Sequence, residues 1–206
     1  MTLQTWLLFC LTEAVLCFIP GPAVLFVLAT ALRRGFPSAS LAAAGILAGN
    51  ILYFALSATG IAAVIVASHA VFSALKWAGA AYLVWLGLRM LLTRAAGHES
   101  APASPTGKGE WVFTRAFIVQ AANPKALVFF IALLPQFINP AGGVPKQILV
   151  LGISSVVLEF TILSLYGALA ARARAVTGTR LSGLLERSAG AILIAAGARL
   201  AWYRVG

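Results

Sequence analysis

The sequence predicts an all-α integral membrane protein with about six transmembrane helices, arranged as two inverted three-helix repeats in which helices one and four are broken. Three observations predict it. The 206 residues are 61% hydrophobic with a mean hydropathy of +0.97, above the roughly 45–50% apolar share of soluble domains. Runs of about 20 apolar residues, enough to cross a hydrocarbon core of about 30 Å, recur from end to end. Proline then interrupts two of these runs, in FIPGPAVLF (18–26) and AANPKAL (121–127).

The hydrophobic segments fall at roughly 5–32, 38–67, 71–92, 113–135, 146–171 and 184–203. The first has no basic residues ahead of it and continues to Leu32, past the length of a signal-peptide core, so it reads as a retained span. Thr93 to Glu110 is rich in Ala, Ser, Pro and Gly and predicts a flexible loop. INPAGGVPK (138–146) predicts a tight turn between the fourth and fifth spans. A single transmembrane domain over 1–206 results, with repeat 1 at about 1–92, a loop at about 93–112 and repeat 2 at about 113–206.

Internal similarity supports the repeat. GPAVLFV (21–27) resembles NPKALVF (123–129), pairing Pro22 with Pro124, and AAYLVWLGLR (80–89) resembles GAILIAAGAR (190–199). Pro37 and Pro145 precede the second and fifth spans. With three spans in each half, an odd number, the halves enter the membrane from opposite sides, as in many secondary transporters.

The net charge of +10 comes from basic residues clustered beside connections. Arg33, Arg34, Arg89, Arg94, Lys108, Arg115, Arg172, Arg174, Arg180 and Arg187 gather on one side, against Lys76, Lys146, Arg199 and Arg204 on the other. Clusters of this kind orient a bundle, placing the long loop in the cytoplasm and both termini outside a bacterial inner membrane, without implying a nucleic-acid partner. Trp6, Trp111, Trp202 and Tyr203 sit at span ends, where interfacial aromatics collect.

Enzyme chemistry finds little support. The chain has no Asp, no Cys-x-x-Cys and only His69 and His98, so no metal-ligand cluster, Asp-based triad or cofactor motif emerges. Cys10 and Cys17 are about 10 Å apart along a helix, too far for a disulfide.

Polar residues converge at one depth instead. Counted from the flanks of their spans, Glu159, Lys125 and Asn50 all fall near the bilayer midplane, level with both breaks. A charge there costs about 2.5–3.5 kcal/mol, so these side chains face the bundle interior. Ser155 and Tyr166 share a face with Glu159. Tyr53 and Ser57 extend the strip of Asn50, and Gln120 precedes Asn123 by one turn. Glu13 is expected shallower, in a structural role. Gly45, Gly49 and Gly60 form a smooth strip for close helix approach.

A break offers free N–H groups on one half-helix and free C=O groups on the other, suited to a carboxylate and an ammonium respectively. Pro20, Gly21, Pro22, Asn50, Asn123, Pro124 and Lys125 are therefore the candidate substrate-binding residues, and Glu159 the candidate proton-coupling group. Glu13, Tyr53, Gln120 and Ser155 are secondary candidates. A fixed Glu159–Lys125 ion pair is the structural alternative. An exporter of cations or other small metabolites would need a second buried carboxylate, and a membrane scaffold or enzyme would need neither charge. Small-residue strips such as Ala191 to Ala198 suit an internal seam or a homo-oligomer equally well.

IPGPAVLFVL (19–28), LAAAGILAGN (41–50), LKWAGAAYLVWLGLRMLL (75–92) and AANPKALVFFIALLPQF (121–137) resemble, in order, the lysine-exporter family of amino-acid exporters, which includes a homoserine/threonine exporter branch. The resemblance implies a small inner-membrane efflux carrier driven by the proton motive force, with its PGP at Pro20–Pro22 and its NPK at Asn123–Lys125. Many members carry Asp directly after PGP. Here that residue is Ala23, and Glu159 is the candidate replacement.

Overall fold

The computed structural model describes residues 1–59, 69–92 and 108–202, and among these there is no strand. Helix α1 (Leu3–Phe18) opens under the Thr2 side chain, which accepts from Thr5 N at 3.2 Å. It stops where proline forbids it to continue. The residue before a proline is pushed out of the α region, and Ile19, before Pro20, is extended at φ −75°, ψ 114°. Gly21, before Pro22, is extended too, at φ −128°, ψ −174°. Helix α2 (Pro22–Arg34) then starts with proline in its first turn, where the missing N–H costs nothing, and leaves α1 at 53°.

Gly35 ends α2 at φ 82°, a left-handed conformation that favours glycine, and releases α3 (Phe36–Ala58). Helix α4 covers His69–Leu92 and α5 covers Lys108–Ala121. The same proline logic breaks the chain again. Asn123, before Pro124, is extended at φ −78°, ψ 113°, and the short α6 (Pro124–Val128) follows. A π-helical turn (Phe129–Leu133) and a 3₁₀ turn (Leu134–Phe137) complete this segment. In the INPAGGVPK turn, Gln147 clamps Asn139, donating to its carbonyl and accepting from its N–H, each at 2.9 Å.

One connection is corrected. Separate segments at 146–171 and 184–203 are expected from sequence, yet a single helix, α7, runs Val144–Trp202. The intervening ARARAVTGTRLSGLLER has no proline and several good helix formers. Gly178 and Gly183 each cost only about 1 kcal/mol, too little to end a helix. Residues 108–110 of the expected loop are helical as well, while 93–107, the end of the second segment with Gly60, and Tyr203 lie outside the described residues.

Among the described residues, Phe36–Ala58 and Val144–Arg174 are long and apolar enough to cross a membrane, and the bent pair α1–α2 makes a third such unit. Leu7, Leu11 and Val15 of α1 and Leu149, Ile153 and Val157 of α7 are exposed, an apolar surface suited to lipid. One core cluster joins Val27 and Ala31 of α2, Ala43 and Ile46 of α3, Leu83 of α4, Ala116 and Val119 of α5, and Leu163 and Leu193 of α7. A second gathers Phe9, Phe54, Phe129, Phe130 and Leu151 around the π turn.

Glycine sets a close contact between α3 and α5. A Cβ on Gly45 would collide with the Phe113 carbonyl oxygen, and one on Gly49 would lie 2.9 Å from Gln120 Cβ. Only backbone fits between α3 and α5 there, and this brings Asn50 against Gln120.

Candidate functional site

The breaks, the middle of α3 and the first part of α7 converge on a cavity of about 30 Å³. It is lined by Glu13, Leu16 and Cys17 of α1, Asn50 of α3, Gln120 of α5, Lys125 and Ala126 of α6, Phe129 and Phe130 of the π turn, and Glu159 of α7. That volume holds a water or so and is far below the roughly 300–1,000 Å³ of a pocket enclosing a sizeable ligand. In this conformation the cavity is too small for an amino acid, and a substrate requires it to widen.

Two carboxylates share the cavity. Glu13, expected shallower, is 5% exposed and accepts from Ser155 Oγ at 2.7 Å, and Glu159 is 8% exposed. The secondary candidate Ser155 thus serves Glu13 rather than its helix neighbour Glu159. Lys125 interacts electrostatically with both acids, but its ammonium hydrogen bonds go elsewhere. Nζ donates to Leu16 O at 2.7 Å and Ile19 O at 3.3 Å, carbonyls at the end of α1, of which Leu16 O also accepts from the Ile19 N–H at 3.2 Å. Tyr166 Oη donates to a third, Phe18 O, at 3.0 Å. The carbonyl end of the first break, anticipated as a seat for a substrate ammonium, is therefore taken by the protein's own ammonium. The N–H end, at the start of α2, has no side-chain cap.

The second break is built differently. Asn123 Oδ1 accepts from the Lys125 backbone N–H at 3.0 Å and caps α6. Asn123 Nδ2 donates to Gln120 Oε1 at 2.9 Å, Gln120 Nε2 donates to Asn50 Oδ1, and Asn50 Nδ2 donates to Glu159 Oε2. All three amides are buried, at 4% exposure or less. Tyr53 Oη donates to Ala121 O at 2.7 Å, and its ring stacks on Phe130 with centroids 4.9 Å apart.

Of the residues chosen from sequence, Asn50, Gln120, Lys125, Glu159 and Glu13 all line the cavity. Asn123 stands behind Gln120, and Gly21 lies against the Lys125 side chain, its Cβ position 3.8 Å from Nζ. Pro20, Pro22 and Pro124 shape the breaks through the backbone. Sequence reasoning missed Phe129 and Phe130, because no residue pattern announces a π turn. It also assigned no partner to Tyr166, although that ring lies seven residues from Glu159 on the same helix.

The family model described as "LysE type translocator" matches residues 14–204. A homoserine/homoserine lactone efflux protein of Salmonella typhi is 34% identical, with 99% of each chain covered. A leucine efflux protein of Klebsiella pneumoniae subsp. pneumoniae is 31% identical over 89% of this chain and 88% of its own. An uncharacterized membrane protein of Pseudomonas aeruginosa is 37% identical over 82% of this chain and 77% of its own. No solved structure matches the chain.

Proposed function

The chain belongs to the LysE type translocator family, and from that premise we propose that it exports amino acids or related small metabolites from the cytoplasm by proton antiport, with Glu159 exchanging the proton beside the two helix breaks. It is a membrane translocator, not an enzyme. The observation that carries the reading is the joining of Glu13, Glu159 and Lys125 around one small cavity between the breaks. The relatives' cargoes by name, homoserine, its lactone and leucine, share an amino group, and the lactone lacks a free carboxylate. An ammonium is thus the feature a common site must recognise, and paired carboxylates recognise it.

In this reading the six hydrophobic segments cross a bacterial inner membrane as two inverted repeats, with the cavity near the midplane. The two ends of α7 form the last two crossings. The arginine-rich stretch 172–187 then lies at the cytoplasmic face. Rocking one half against the other opens the cavity to each side in turn.

Efflux from proteoliposomes loaded with labelled amino acids tests this. Saturable efflux accelerated by an inward proton gradient, and uncoupled from it in Glu159→Gln, is the expected result. No flux of any amino acid from folded protein overturns the reading. A second reading, export of cationic metabolites, gains from Glu13, since it needs a second buried carboxylate and the cavity has one. Faster efflux of amines without a carboxylate than of matched zwitterions would select it.

A further inference from the structure

The hydrogen bonds that join the second break to Glu159 all run in one direction. The chain begins at the Lys125 backbone N–H, which has no acceptor to offer, so Asn123 must turn Oδ1 towards it. That choice leaves Asn123 Nδ2 facing Gln120, which must present Oε1. Gln120 Nε2 then meets Asn50 Oδ1, and Asn50 Nδ2 meets Glu159 Oε2. A terminal amide oxygen and nitrogen look alike by shape, but here each orientation is dictated by the one before it.

We propose that Asn123, Gln120 and Asn50 are not substrate ligands but a one-way amide relay that positions Glu159, holding Oε2 as an acceptor and leaving Oε1 as the oxygen that exchanges a proton with the cavity. This deepens the antiport reading and rests on it. Each amide spends its oxygen and one N–H inside the relay, and all three are buried, so little is left for cargo. The charged and titratable groups facing Glu159 are Glu13 and Cys17 from α1 and Lys125 from α6; Asn50 and Gln120 supply the polar contacts from α3 and α5. The relay also links two events. Movement that pulls Asn123 off the start of α6 frees all three amides to turn over, and a proton on Oε2 could then be donated to Asn50. Opening at the break is thereby communicated to the carboxyl group without any contact between cargo and Glu159.

The carboxyl C=O stretch of protonated Glu159, identified in infrared pH-difference spectra of the purified protein by its loss in Glu159→Gln, reports the bond at Oε2. In the wild type that carbonyl accepts from Asn50. Asn50→Leu removes the donor and moves the band to higher wavenumber. Asn123→Asp keeps the cap on α6 but offers Gln120 no donor, so the relay reverses and the band also moves up, three side chains away. Asn123→Ser, a neutral cap too short to reach Gln120, separates this effect from the added charge, and Gln120→Met interrupts the relay from its middle if either Asn123 variant fails to fold. A merely structural role for Asn123 leaves the band unmoved in the Asn123 variants, while Asn50→Leu still moves it. A band unmoved in folded Asn123 or Gln120 variants overturns the relay, as does the absence of any band that Glu159→Gln removes. Efflux measured on the same wild-type preparation separates the two readings. Proton-coupled efflux with an unmoved band sinks the relay alone, whereas a shifting band without efflux sinks the export reading alone.

Discussion

The two proline breaks obey one backbone rule and solve its consequence in opposite ways. At Ile19–Gly21 the chain supplies only the Ile19 backbone N–H, which bonds back to Val15 O and Leu16 O, and Gly21 has no side chain to cap α2. The carbonyls at the end of α1 are met from outside, by Lys125 and Tyr166. At Asn123 the break caps itself and passes its remaining donor onward to Gln120. A break met from outside holds its shape only while its partners stay in place, so it is suited to move. A self-capped break holds only while Asn123 stays on the start of α6, so a movement that lifts the cap is passed on to Gln120.

Substitutions sharpen that contrast, and the largest effect is expected at the residue serving both breaks. Lys125→Met leaves the Ile19 carbonyl without its donor and removes one from Leu16, for a loss of about 2 kcal/mol in reversible unfolding in mixed micelles. It should also abolish coupled efflux. A variant of wild-type stability would show that the first break needs no external partner. Asn123→Ala removes the cap of α6 and should cost about 1–2 kcal/mol in the same measurement. Pairing it with Lys125→Met in a double-mutant cycle tests whether the breaks are energetically coupled. Tyr166→Phe deletes a single bond to Phe18 O, worth about 0.6 kcal/mol for an average side-chain bond in a membrane protein. Gly21→Ala is expected to be the mildest, within about 0.5 kcal/mol. Its φ of −128° suits any residue, and the added Cβ would meet Lys125 only at ordinary contact distance, 3.8 Å. A large loss there would mean that the close approach of Lys125, rather than the prolines, defines the break.

Much of this site could be read from residue types, because the rules involved are local. Two prolines spaced by one residue deny the helix to Ile19 and Gly21 whatever surrounds them, and Asn before Pro124 is both pushed out of the helix and well shaped to cap the next one. Glu159, Lys125 and Asn50 stood out because polar groups in apolar runs are costly and must be turned inward. Glu13 shares the cavity with Glu159, a meeting that counting along α1 does not reveal. Depth counted along α1 takes no account of the 53° bend, or of how α1 sits against α7, where Ser155 meets it. The continuous α7 was missed for a related reason, since an arginine-rich stretch between apolar segments reads as a connection although nothing in it terminates a helix.

By itself, then, the sequence determined the membrane class, the positions where helices must stop, and the inventory of polar groups that cannot face lipid. These depend on composition and on backbone rules that act over one or two residues. Only the tertiary structure decided which of those groups meet. It placed the Lys125 ammonium on the α1 carbonyls rather than on Glu159, joined Glu13 to the cavity, and oriented three amides towards one carboxylate oxygen. Such pairings span separations of up to 142 residues. They are selected by how closely helices approach, as Gly45 and Gly49 allow between α3 and α5, and helix-to-helix distance is a property of the packed bundle that no single segment encodes.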